Sequence, residues 1–161
     1  MSFSLRDYQR DIVRFIHEHN RCAIWASMGA GKSLATLTAL EELGYKVHTA
    51  ATHGDFLVRF TQARYQVVVI EERFAANDIT ENLTLQAVQK MPMNERRHCT
   101  FVLFGESFQT FTPMQAFQQS VHAVINSSEM FMLNQLVEKA IAENNLFLRS
   151  YREVQNRVAR L

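Results

Sequence analysis

Short runs of consecutive apolar residues alternate along this chain with segments whose apolar residues recur every three or four positions. The runs fall at 21–26 (RCAIWA), 45–50 (YKVHTA), 66–71 (QVVVIE), 100–105 (TFVLFG) and 121–126 (VHAVIN), each rich in β-branched or aromatic residues. Helical periodicity fills the gaps at 32–43, 54–63, 81–90, 113–119 and from 128 onward. Gly44, Pro92, Thr112 with Pro113, and Ser127 punctuate these boundaries. The last helix is expected to break near Asn144 and Asn145, leaving FLRSYREVQNRVARL as a second amphipathic piece. Its Arg149, Arg152, Arg157 and Arg160 read as a basic face or as a solvated helix surface. Ahead of the first strand, SLRDYQRDIVRFIHEHN predicts an amphipathic helix with Ser4 as N-cap and Tyr8, Ile12, Phe15 and Ile16 on one face.

Strands alternating with helices imply parallel β-α-β units joined by right-handed crossovers. The expectation is a single three-layer α/β/α domain over 1–161. Its five-stranded parallel sheet takes the order 2-1-3-4-5, with an extra N-terminal helix and a long C-terminal one. In that order strands one and three are neighbours, and the crevice at their carboxyl ends is where chemistry should sit.

Composition narrows the picture. The 161 residues carry 17 basic and 16 acidic side chains for a net charge of +1, which excludes polyanion binding by bulk electrostatics, so no nucleic-acid role is expected. The apolar runs are strand-length rather than membrane-length, and the first twenty residues mix charges with apolar positions, so neither a span nor a signal peptide is expected. Cys22 and Cys99 lie far apart with no paired spacing, and His17, His19, His48, His53, His98 and His122 form no i, i+4 pair. The expectation is a reduced, cytoplasmic protein with neither a disulfide framework nor a zinc site.

The segment ASMGAGKS at 26–33 lies between a strand and a helix, the setting in which a phosphate loop works. The backbone N–H groups of Met28, Gly29, Ala30 and Gly31 would curl around a phosphate, Lys32 would reach the outer oxygens, and Ser33 would hold a magnesium ion. Ala26 stands where the general G-x-x-x-x-G-K-[ST] pattern has its first glycine. VVVIEE ends in Glu71 and Glu72, and with strand order 2-1-3 Glu71 ends the strand beside that loop. It would ligate Mg2+ through water, act as a catalytic carboxylate, or pair with Lys32 when no ligand is bound. Met91, Met93, Met114, Met130 and Met132, together with the phenylalanines of the same half, read as core or as a partner groove around strands four and five.

With LRDYQRDIVRFI before it, the loop segment makes residues 5–40 similar to the start of superfamily-two helicases of the Swi/Snf type. That resemblance implies a base-contacting role for Gln9, which otherwise reads as an exposed helix residue, and a loop of Gly29, Gly31, Lys32 and Ser33. The 161 residues hold no second motor domain, so translocation is not expected. Residues 44–157, from GYKVHTAATHGDFLVRF to NQLVEKAI, resemble a degenerate response-regulator receiver. A working receiver has an acidic pair after strand one, a phosphoacceptor Asp after strand three, a hydroxyl after strand four and Lys after strand five. Here those regions hold Ala26 and Ser27, then Glu71, Ser107 and Asn126. By this resemblance the domain would not be phosphorylated on Asp, and Glu71 would at most imitate a permanent charge.

The two resemblances meet in one sheet, which suggests a fusion, natural or engineered. The leading expectation is a receiver-like domain binding phosphate or a nucleotide, as Mg2+ with ATP or ADP, with little or no turnover. The alternatives are a pseudo-receiver acting as a homodimerisation or protein-interaction module through its strand 4/5 face, and a slow magnesium-dependent NTPase.

Overall fold

The computed structural model describes residues 22–26, 38 and 40–161. Five strands form one sheet: β1 (Cys22–Ala26), β2 (Lys46–Ala50), β3 (Val67–Glu71), β4 (Thr100–Gly105) and β5 (Ala123–Asn126). Their order is β2-β1-β3-β4-β5 and every pairing is parallel, as the alternating pattern predicts. Between them lie α1 (His53–Gln62), α2 (Leu83–Lys90), the short α3 (Met93–Arg96), α4 (Pro113–Gln119) and, after β5, the 26-residue α5 (Leu133–Val158). The expected N-terminal helix lies outside the described residues, as does most of the helix expected over 32–43.

Alternation along the strands splits the core into two layers. On one face Ile24, Val68, Ile70, Phe101, Leu103 and Val124 pack against Phe56 of α1, Leu85 and Val88 of α2, and Ala116 of α4. On the other, Val67, Val69, Val102, Phe104 and Ile125 pack against Leu40 and, from α5, Leu133, Val137 and Ala140. The central strands β3 and β4 are buried on both faces, which is why they read as unbroken apolar runs rather than alternating ones.

The element boundaries follow local hydrogen bonding. The helix ending at 42 stops in a Schellman motif: Tyr45 N–H donates to Leu40 O (3.2 Å) and Gly44 N–H to Glu41 O (2.9 Å), with Gly44 at φ +85. α4 ends the same way, with Ser120 in the left-handed position and Val121 N–H donating to Ala116 O (3.0 Å). Val121 therefore closes that helix, and β5 starts at Ala123 rather than at 121. Thr112 sits at the N-cap of α4 without a side-chain capping bond.

Three helix expectations are corrected. The segment expected from 81 is a 3-10 turn (Ile79–Glu81) followed by Asn82 as the N-cap of α2. The segment expected from 128 begins as a 3-10 turn (Ser127–Met132), because the Asn126 side chain accepts from Ser128 N–H and Glu129 is non-helical at φ −102, ψ 15. The break expected at Asn144 and Asn145 is absent. Asn144 Nδ2 donates across to Thr100 Oγ1 (3.1 Å) instead of competing for its own backbone, so α5 runs through.

Candidate functional site

The carboxyl ends of the strands bring Glu71, Glu72, Glu106 and Asn126 to one edge of the sheet. β3 delivers Glu71, half-buried, and the chain then turns at Glu72, which is buried at 7% exposure. Glu72 N–H continues the ladder by donating to Phe104 O (2.8 Å), and Phe74 N–H closes the turn on Glu71 O (3.0 Å). Together with Arg73, Gly105, Glu106 and Ser127, the two carboxylates line a cavity of about 90 Å3. Its lining carries three carboxylates and one guanidinium, so it is acidic.

Two residues set this geometry. Asn82 is fully buried, and its Nδ2 donates to the carbonyls of Glu71 (2.9 Å) and Glu72 (3.1 Å) while its Oδ1 accepts from Leu85 N–H (3.0 Å). One amide thus caps α2 and fixes the turn that carries both carboxylates. Gly105, which ends β4, makes room for Glu72: a Cβ there would stand 2.6 Å from Glu72 Cβ and overlap the carboxylate. Glu72 Oε2 accepts from Ser107 N–H (3.3 Å), and Glu72 makes no salt bridge among the described residues.

The far side of the edge is organised by Asn126 at the end of β5. Its Nδ2 donates to Phe108 O (2.6 Å), its Oδ1 accepts from Ser128 N–H and Oγ, and its own N–H donates to Thr110 Oγ1 (2.9 Å). Thr110 Oγ1 in turn donates to Glu129. Where the receiver resemblance has a lysine, the chain has a neutral amide that ties the β4–α4 loop to β5. Ser107, at the hydroxyl position, contributes its backbone N–H to Glu72, and Ser127 is the hydroxyl residue that lines the cavity.

Of the residues expected at the site, Glu71 is in place at the edge. Gln9, Met28, Gly29, Ala30, Gly31, Lys32 and Ser33 lie outside the described residues. Asn82 and Gly105 were not anticipated as site residues. The signal for Asn82 is an Asn immediately before the periodic run LTLQAVQK; that for Gly105 is a Gly ending an apolar strand. Among the described residues no group of three or more His, Cys, Asp or Glu converges as a metal site. Of the expected metal ligands Glu71 is the one among the described residues, and a magnesium ion held there would take that carboxylate and complete its shell with phosphate oxygens and water. No helix among the described residues is long and apolar enough to cross a membrane.

Strand order, helix layering and the loop-built carboxyl edge define a receiver-like α/β fold, and solved structures bear this out. A chain designated a response regulator from Chloroflexus aurantiacus superposes with a TM-score of 0.62 at 12% identity, covering 77% of this chain and 99% of that one. The chemotaxis response regulator CheY4 of Vibrio cholerae gives 0.58 at 12% identity over 76% and 99% of the two chains. A response regulator from Thermotoga maritima gives 0.59 at 13% over 77% and 99%. In sequence, no family model matches. The protein p41 of Acyrthosiphon pisum secondary endosymbiont phage 1 is 48% identical over 42 residues, which are 26% of this chain and 9% of p41.

Proposed function

We propose that this chain is a receiver-like domain whose carboxyl edge binds phosphate or a nucleotide, with Mg2+ accompanying ATP or ADP, and with little or no turnover. The observation that carries this reading is register. Ala26, the last residue of β1, pairs with Ile70, so Glu71 follows at the level where segment 27–33 begins. That level is the crevice between β1 and β3, where the strand order reverses and where open α/β sheets hold ligands. On this reading Met28, Gly29, Ala30 and Gly31 supply backbone N–H groups, Lys32 supplies charge and Gln9 contacts the base. Ser33 and Glu71 hold the metal. Residues 5–40 are a helicase-like piece, natural or engineered, set into a receiver-like sheet. Glu71 is shared by this crevice and the acidic cavity at the ends of β3, β4 and β5, and a divalent cation bound with a nucleotide would screen its charge from the phosphates.

The test is calorimetric titration of Mg-ATP and Mg-ADP, with Lys32→Ala as control. Saturable heat that disappears in the variant, with the fold intact by circular dichroism, is the expected result. Equal affinity in the variant, or no heat with the unsubstituted protein, overturns it. Magnesium-dependent phosphate release abolished in Glu71→Gln would make the domain a slow NTPase instead.

A second reading rests on exposed apolar groups beside β4 and β5. Met114 and Phe117 of α4 and Phe131 after β5 stand open, Phe117 and Phe131 at 80% exposure each. They favour a pseudo-receiver, with Glu71 as a fixed charge, that docks a protein partner or a second copy through this face.

A further inference from the structure

We infer that the ligand of this edge is a nucleoside polyphosphate rather than inorganic phosphate, with its nucleoside half in the cleft between the β2–α1 and β3–α2 loops and with Arg73 on its phosphates at the inner end of that cleft. The inference rests on the nucleotide reading above and adds to it a subsite and a residue. Register places the cleft. Ala50 pairs with Ala26 and Ala26 with Ile70, so Ala51 and Glu71 both follow at the level where segment 27–33 begins. Neighbouring strands stand about 4.8 Å apart, so the ends of β2 and β3 lie roughly 10 Å apart with the end of β1 between them. Ala51 and Thr52 line the cleft from the β2 side, and Arg73, Ala75, Ala76 and Asn77 line it from the β3 side. It therefore spans the end of β1.

Size and charge select what it holds. Pockets for small molecules measure roughly 300 to 1,000 Å3. The acidic cavity, at about 90 Å3, is too small for a nucleoside, whereas the cleft measures about 530 Å3. Another hollow of that size, about 510 Å3, opens at the amino ends of the strands beside Gln66 and Cys99, a strand's length from segment 27–33. The acidic cavity sets three carboxylates against Arg73, and the cleft sets Glu81 alone against it. An anionic ligand is thus steered toward the cleft.

The wall on the β3 side is formed without a ligand. Glu81 Oε2 accepts from Asn77 N–H (3.2 Å), and Asp78 Oδ1 accepts from Thr80 N–H (2.7 Å) and Glu81 N–H (3.3 Å). The acidic groups of this loop are therefore spent on its own backbone. Arg73 lines both hollows and makes no salt bridge among the described residues. A guanidinium whose paired N–H groups match phosphate oxygens stands where they meet. Ala75 is exposed and held at φ 49, so the chain bends there between the buried Phe74 and the bonded Asn77. With Ala51 and Ala76 it keeps the walls short and apolar, a surface on which a planar base can lie. A wall held in place in this way costs a ligand little ordering.

The test is calorimetric titration of the full chain with Mg-ATP and with Mg-tripolyphosphate, which keeps the phosphates and lacks the nucleoside. Ala51→Phe, at an exposed position on the cleft wall, should lower Mg-ATP affinity by about tenfold or more and leave Mg-tripolyphosphate affinity within about twofold. Arg73→Gln, also at an exposed position, should lower both by about tenfold or more. Both variants should keep the circular dichroism spectrum of the unsubstituted protein. Unchanged Mg-ATP affinity in either variant overturns the inference, and so does a parallel loss of both ligands in Ala51→Phe. The nucleotide reading survives those results where Lys32→Ala still abolishes binding; no heat with the unsubstituted protein overturns both. Independently of any variant, photolysis of 8-azido-ATP on the unsubstituted protein should label tryptic peptide 47–59 or 74–90, which carry the two walls. Label confined to other peptides overturns the inference.

Discussion

The two ends of the sheet handle their polar groups in opposite ways. At the amino end, beside β4 and β5, polar groups close on one another. His122 Nδ1 accepts from Phe101 N–H (2.9 Å), His122 N–H donates to Phe101 O (2.9 Å), the two rings stack, and the Arg96 guanidinium lies 5.9 Å from the Phe101 centroid. Arg96 also donates to Ser120 O. At the carboxyl end, neutral donors hold carboxylates in place: Asn82 fixes the turn by its carbonyls, and Ser107 N–H reaches Glu72. One end satisfies its polar groups with partners that cancel. The other fixes the backbone and leaves carboxylates facing a cavity.

If that contrast is right, the largest effect comes from breaking the positioning amide. Asn82→Ala removes two donors to buried carbonyls and the cap of α2 at once. It should cost about 2–4 kcal/mol in urea unfolding, since buried unsatisfied groups cost 1–3 kcal/mol and a cap about 1. The cavity carboxylates should shift with it, so any Mg-nucleotide affinity falls alongside stability. A loss below about 0.5 kcal/mol would show that the turn is held by the strands alone.

The next effect tests the amino end. Burial, and then the nearby Arg96 charge, lowers the His122 pKa to about 4 from an ordinary 6.5. The folded protein therefore binds fewer protons than the unfolded chain between those values. The stability that follows from this shift is complete above pH 6.5 and is lost as pH falls toward 4. The residue is exposed although its ring stacks on Phe101, and solvent screening reduces the full linkage value to about 1–2 kcal/mol. Urea midpoints at pH 7 and pH 4.5, compared with those of His122→Asn, isolate the contribution. An identical pH dependence in the variant would mean that His122 is not held neutral.

The architecture was legible because it rests on the period of the apolar pattern. The unbroken runs at 66–71 and 100–105 read as strands, and 2-1-3-4-5 is a common order for five parallel strands joined by right-handed crossovers. Glu71 was legible for the same reason, as the first charge after such a run. What escaped depends on pairings across the chain. Asn82 serves carbonyls ten and eleven positions away, and Gly105 answers to the bulk of Glu72. Asn144 was misread because local propensity marks it as a breaker, whereas its partner Thr100 lies 44 residues away. The histidines were read together as having no metal pair, which left the neutral, backbone-bonded role of His122 unseen.

The smallest effect separates the two ends by strain rather than charge. Ser120, at the C-terminus of α4 near the amino end, has φ 56, and Phe111, in the loop after β4 at the carboxyl end, has φ 57. Both are non-glycine residues in the left-handed region, a conformation that costs roughly 1 kcal/mol for an ordinary side chain. Ser120 is exposed and serves through its backbone, so Ser120→Gly should raise stability by about 0.5–1 kcal/mol, as glycine does at this helix-ending position. Phe111 is half-buried, its ring lies 4.4 Å from Lys139 Nζ, and its N–H donates to Val124 O (2.9 Å). Phe111→Gly relieves the same strain but removes that packing, and should lower stability by about 1–2 kcal/mol. Thermal unfolding of the two variants reads both signs. Two gains would mean that the strained loop at the carboxyl edge is dispensable, whereas a gain at Ser120 with a loss at Phe111 makes that strain the cost of docking the β4–α4 loop on the core beside β5.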